Sequence, residues 1–286
     1  MSRPLGPEHA APGGAPGALV RRYDPGLFLS ALFAREPGRT HLLLLYAADI
    51  EFARAVLPAK RSDAGPLIAQ MRLQFWRDIV LDAKAGGTPR AHEIGEPLAE
   101  AVVQGILPAD ALLRMIEGHA REIDPELPPA DFDAWAAERF GARLAAALAC
   151  LGGAPEMPAE PVAGPAGLVL GSAFALKSAA AMAAEGRVLV PGLAGSARTA
   201  LASGHVDPAR AALRDLVERG LAAQGEALAT ARGMPSAARP ALLPLWEAKR
   251  VLTQVWRDPR TVFSDLAPGP GRRALGLSFA VVTGRI

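Results

Sequence analysis

The chain has 286 residues, half of them hydrophobic and 5% aromatic, with a formal net charge of +2 and a pI near 9.0. That balance, with no basic stripe interleaved with aromatics, excludes a nucleic-acid-binding surface and leaves only a weak attraction to anionic lipid. A single cysteine, Cys150, excludes an internal disulfide and a thiolate metal site, and reads as a small core residue.

Residues 1–20 are rich in Gly, Pro and Ala and lack the apolar stretch of a signal peptide. They are expected to form a disordered tail, with 21–286 a single domain. Alanine and leucine dominate the rest of the chain, and both lose little freedom in a helix, so the fold class is all-α. Asp24 is placed to N-cap a first helix, with Pro25 in its first turn. The pattern predicts helices over 40–57, stopped by Pro58, and over 66–85, ended by Gly86-Gly87. Shorter ones come at 97–104 and 108–123, then one at 131–151 closed by Gly152-Gly153. A Pro/Gly-rich link over 154–165 leads into a long apolar helix at 167–185. The C-terminal third gives helices at 208–232 and 237–258, and Pro-Gly-Pro-Gly at 268–271 precedes a short last one.

Two stretches, 42–57 and 167–184, are apolar almost all round, which places them in the middle of a helical shell. They carry Asp49, Glu51, Arg54 and Lys177, so they read as core helices and not as membrane spans. No transmembrane segment is expected. The location implied is cytoplasmic, with at most a peripheral contact with the inner membrane.

Six segments, in order, resemble one family. They are Tyr23-Asp24 with Phe28-Leu29 and Leu32-Phe33; His41-Leu-Leu-Leu-Leu-Tyr46-Ala47-Ala48; and Met71-Arg72-Leu73-Gln74-Phe75-Trp76-Arg77. The others are 135–141, from Trp135 to Gly141; Gly186-Arg187-Val188-Leu189-Val190-Pro191; and 244–250, from Pro244 to Arg250. Together they are similar to the squalene/phytoene synthases, whose "RLQWWR" segment is matched by 72–77. The resemblance implies an isoprenoid-synthase (terpenoid synthase-like) helical bundle around a central cavity. Active members condense two prenyl diphosphates head to head. Departure of the diphosphate needs Mg²⁺ bridging its oxygens, and the metal is held by aspartates four apart on two facing helices.

Those aspartates are missing. Counted on from Tyr46, the first pair falls at Ala53 and Leu57; counted back from Gly186, the second falls at Ser178 and Met182, with Gly171 and Phe174 in the preceding polar positions. The acids present, Asp49 and Glu51, are two residues apart, about 200° of helical rotation, and point to opposite faces. Arg54 is placed to neutralise Glu51. Asp78 and Asp82 do share a face, but of the helix that does not carry the family's metal sites, and they read as an exposed acidic surface. His9, His41, His92, His119 and His205 are scattered over tail, loops and helix starts, with no i, i+4 zinc pair among them. Trp76 and Trp135 read as core residues.

No catalytic or metal-ligating residue is therefore assigned. Asp49, Glu51, Arg54 and Lys177 are expected as the polar residues of the retained cavity, with a buried Lys177 paired to Asp49 first or Glu51 second. Loss of both motifs resembles the branch of the family represented by mitochondrial complex I assembly factor 6. It implies a catalytically inactive protein acting in assembly or maturation of respiratory NADH dehydrogenase, with that complex's subunits as partners and no cofactor. The alternatives are a divergent prenyltransferase making squalene or phytoene, which alone would need Mg²⁺, and a non-catalytic isoprenoid- or lipid-binding protein.

Overall fold

A computed structural model describes residues 13–60, 64–88, 90–124, 126, 130–152 and 160–283. These residues form helices and no strand, in agreement with the Ala- and Leu-rich composition.

Asp24 joins the first two helices, α1 (Gly14–Tyr23) and α2 (Pro25–Ala31). Its N–H closes α1 on the Val20 carbonyl at 2.8 Å, and its carboxylate opens α2 by accepting from the Leu27 N–H at 2.9 Å. Pro25 lies in the first turn, where its missing N–H costs nothing. Helix α1 occupies 14–20, part of the stretch expected as a tail, because Val20 is buried and α1 lies against α3. Residues 1–12, His9 included, lie outside the described residues.

Helix α3 (Gly38–Val56) is buried at every position from 42 to 49, the all-round burial that its apolar run predicts. Helices α4 (Gly65–Lys84), α5 (Gly95–Val103) and α6 (Ala109–Ala120) come where the sequence places them, and a 3-10 turn, Arg121–Ile123, extends α6. Trp76 of α4 packs edge-on against Phe52 of α3, with ring centroids 5.5 Å apart. Asp78 and Asp82 face Arg90 on the surface of α4, at 3.8 and 2.9 Å, as an exposed acidic surface would.

The single helix expected over 131–151 is interrupted. Helix α7 (Phe132–Ala136) passes into a π-helical turn, Ala137–Gly141, before α8 (Ala142–Cys150). Helix α9 (Glu160–Ala184) begins inside the expected link, with Pro165 within it; residues 154–159 of that link lie outside the described residues. Proline near a helix start forfeits one backbone bond, which burial of the rest of α9 outweighs. Helix α10 (Gly195–Ala202), which the sequence pattern misses, precedes α11 (Arg210–Ala231), α12 (Pro244–Arg257) and α13 (Pro270–Thr283).

Helix α9 is the hub, packed on α8, α11, α12 and the π turn. It is long and apolar enough to cross a membrane over Pro161–Ala184, yet 61% of its apolar window is buried inside the fold. Glycines set how closely the π turn is held. A Cβ on Gly167 would lie 2.8 Å from the Gly141 nitrogen, and one on Gly118 of α6 only 2.4 Å from the Arg139 nitrogen. The turn is thus clamped between two backbones, which fixes the direction of Arg139 and Phe140.

Gly118→Ala is accordingly expected to lower stability by about 1–3 kcal/mol in urea denaturation, the usual cost of overpacking. Gly225 on α11 is exposed, with nothing within 4 Å of its would-be Cβ. Gly225→Ala should instead gain about 0.5–1 kcal/mol from helix propensity. Equal effects at the two glycines would refute the clamp. Cys150 is buried and donates to the Ala147 carbonyl at 3.3 Å; burial pushes its thiol up to about 12, as suits a core residue.

Candidate functional site

Helices α2, α3, α9, α12 and α13 and the π turn enclose a cavity of about 560 Å³. Its walls are apolar: Leu27, Ile50, Phe140, Leu170, Phe174 and Val251 among them. Ala53 of α3 and Leu57, the residue that caps its C-terminus, are the first pair of expected aspartate positions, and both line it together with Asp49, at the i, i+4, i+8 spacing of one helix face. On α9 the lining residues are Leu170, Ala173, Phe174 and Lys177. Ser178 and Met182 are not among them. The Ser178 hydroxyl returns to the Phe174 carbonyl at 2.8 Å, and Met182 is buried. The charged residue of α9 that lines the cavity is Lys177.

The cavity carries five cations, Arg54, Arg139, Arg143, Lys177 and Arg273, against three acids, Asp24, Asp49 and Glu247. Asp49 is 7% exposed and doubly engaged: Arg143 Nη1 donates to Oδ2 at 2.6 Å, and His119 Nε2 lies 2.8 Å from Oδ1. Burial by itself would raise the Asp49 carboxyl, but the Arg143 guanidinium and the His119 hydrogen bond overcome it and hold the group well below the usual carboxylate range. Asp24 makes no ion pair among the described residues, and burial raises its carboxyl.

Arg139 stands in an aromatic cage. Its guanidinium lies 4.3 Å from the Phe174 ring centroid, 4.7 Å from Phe140 and 5.8 Å from Trp135. Nη1 lies 2.9 Å from Glu122 Oε1, an ionic contact without hydrogen-bond alignment, and among the described residues neither Nε nor Nη1 has a hydrogen-bond partner. Trp135 is fully buried and donates from Nε1 to the same Glu122 oxygen at 3.3 Å; Trp76 is buried too, and both serve as core residues.

Of the four polar residues expected in the cavity, Asp49, Arg54 and Lys177 line it. Glu51 does not. It lies in a neighbouring cleft with Arg72, Phe75, Trp76 and His92, and pairs with Arg54 at 2.5 Å. Asp49 and Glu51 thus face different spaces, as 200° of rotation requires. The expected pairing of Lys177 needs correction. Its side chain is 40% exposed and its partner is Glu247 of α12, at 3.2 Å. Glu247 also accepts from Arg273 Nε of α13 at 2.9 Å, so one carboxylate ties three helices together. Sequence reasoning missed Arg139, Arg143, His119, Glu247 and Arg273. One signal was legible: Arg143 is a lone charge in the Ala/Leu run of α8, and such a charge needs an acid.

The family model for squalene/phytoene synthase matches residues 20–274. The chain belongs to the squalene/phytoene synthase family. No curated protein matches it significantly. Among solved structures, a dehydrosqualene synthase in complex with ligand superposes with a TM-score of 0.73 at 14% identity, covering 94% of each chain. The squalene synthase HpnC from Alicyclobacillus acidocaldarius gives 0.68 at 20% identity, over 85% of this chain and 92% of that one. TcSQS with the ligand E5700 gives 0.66 at 14% identity, over 93% and 85%. Family members are prenyl transferases, and the isoprenoid-synthase fold expected from the sequence is the fold observed. The assembly-factor branch gains no support from these relatives.

The family's Mg²⁺ ions can be tested against the donors present. The cavity-lining residues at 53, 57, 170, 173, 174 and 177 are Ala53, Leu57, Leu170, Ala173, Phe174 and Lys177, with no carboxylate among them. The one acid on the cavity faces of α3 and α9, Asp49, already neutralises an arginine and bonds a histidine. Among the described residues, no three His, Cys, Asp or Glu side chains converge to hold a metal ion. The residues do not fit magnesium bridging a diphosphate.

Proposed function

We propose that this protein is a non-catalytic family member that holds an amphiphile, an isoprenoid-like chain with an anionic head, without metal and without turnover. The observation that supports this reading is the balance of charge: one lysine and four arginines line the cavity beside three acids, while the positions counted for the family's carboxylates hold Ala53, Leu57, Ser178 and Met182. Guanidinium groups recognise phosphate and carboxylate directly, and they need no ion between. The apolar walls supply the rest, since each methylene taken from water contributes about 0.8 kcal/mol. Without a metal to bridge and neutralise a departing pyrophosphate, the site favours retention over ionisation.

The test is to incubate the purified protein with labelled farnesyl or geranylgeranyl diphosphate, with and without Mg²⁺, and to follow retention and conversion separately. Retention indifferent to Mg²⁺, with the ligand recovered intact, is the expected result. Mg²⁺-dependent release of pyrophosphate would make the protein a divergent squalene or phytoene synthase. Neither retention nor conversion would leave the role implied by sequence resemblance, assembly or maturation of a respiratory NADH dehydrogenase.

A further inference from the structure

Helix α13 forms one wall of the cavity, and its outer face is as informative as its inner one. Inward, Arg273 reaches Glu247 and Leu277 lines the cavity. Leu277 and Ala280 pack with Leu243 in a small apolar cluster of their own, apart from the main core. Outward, Arg272, Leu275 and Phe279 recur at i, i+3 and i+7 and so share one face. Leu275 is 75% exposed and Phe279 59%. Two large apolar side chains one turn apart, on a helix whose other face is already committed, form a surface with no partner among the described residues.

The charge of the helix selects what covers it. Between Pro270 and Thr283 there are two arginines and no acid. Arg273 is neutralised by Glu247, whereas Arg272 is exposed and makes no ion pair among the described residues. A second copy laid on this face would bring further arginine and no carboxylate from α13. A bilayer surface with anionic headgroups supplies both an apolar layer for Leu275 and Phe279 and a negative charge for Arg272.

We propose that α13 docks the protein on an anionic membrane surface, with Leu275 and Phe279 entering the interface and Arg272 among the headgroups. The cavity then lies one helix away from the bilayer, on the side from which an amphiphile would come. The docking goes beyond the reading of the cavity as a binding site, and it stands or falls separately, because the prenyl diphosphate assay is done without lipid.

The experiment is co-sedimentation of the full chain with vesicles of phosphatidylcholine alone or with phosphatidylglycerol added. Binding to the anionic vesicles, weakened by salt, is expected. The Leu275→Asp/Phe279→Asp variant should lose binding by about tenfold or more, and Arg272→Glu should lose the preference for phosphatidylglycerol. Both alter exposed side chains, and circular dichroism checks that each remains folded; if the double variant fails that check, Arg272→Glu decides by itself. The proposal is overturned if the wild-type chain stays in the supernatant with both vesicle types, or if the folded variants bind as it does. It is also overturned if light scattering shows a dimer that the double variant dissociates, since the face would then belong to a second copy.

Discussion

Asp49→Ala should cost about 3–5 kcal/mol of folding stability, the usual consequence of leaving one member of a buried ion pair without its partner. The wild-type carboxylate serves two groups at once. Arg143 is 9% exposed and lies against the Tyr46 and Phe140 rings, at 5.9 and 5.3 Å; His119 is fully buried. Urea denaturation of the two proteins reads the difference directly, and a loss below about 1 kcal/mol would refute the account of Asp49 as the acid that keeps this cluster folded.

The same residue predicts a pH dependence of definite sign. Its carboxyl is held below the ordinary value in the folded protein, so its contribution is present in full above the unfolded pKa, near about 4, and is lost as pH falls towards the folded value. Wild-type stability should therefore drop below about pH 4. The Asp49→Ala protein, which has no such contribution to lose, should show a flatter profile over that window.

The second large effect is expected at Trp135. The ring is fully buried and touches Phe132, Phe140 and Phe174, with centroids 5.2, 5.5 and 6.2 Å away. Trp135→Ala should cost about 3–5 kcal/mol through the cavity it leaves. Trp135→Phe keeps most of the packing but removes the donor to Glu122, and should cost about 1–3 kcal/mol. If the aromatic cage positions Arg139 in the cavity, Trp135→Phe should also weaken prenyl diphosphate retention while the protein remains folded. Unchanged retention would confine Trp135 to a packing role.

How much of this site was legible in the sequence depended on the range of the interaction. Helical rotation is local, so the opposed directions of Asp49 and Glu51, and the shared face of Asp49, Ala53 and Leu57, came from spacing. The second helix was harder. Each residue turns the helix by about 100°, so which of its residues face the cavity depends on how the helix is rotated in the fold. The orientation of α9 is set by the fit of Gly167 and Gly171 against Gly141 and Ala136, which no count back from Gly186 contains. The same holds for α1: a Gly/Pro/Ala-rich segment has little helical pattern of its own, and the part over 14–20 is held by packing on α3.

By itself the sequence determined the all-helical class and the family's order of motifs. Both are matters of residue identity and short-range periodicity. Tertiary structure decided which cation each acid meets. Asp49 finds His119 and Arg143, 70 and 94 residues away, while Lys177 finds Glu247, 70 residues on. A buried charge requires a partner, and the chain states that requirement wherever it sets an Asp or an Arg in an apolar run. Which partner answers is fixed only when helices distant in sequence cross, because Coulomb attraction acts across space and not along the chain.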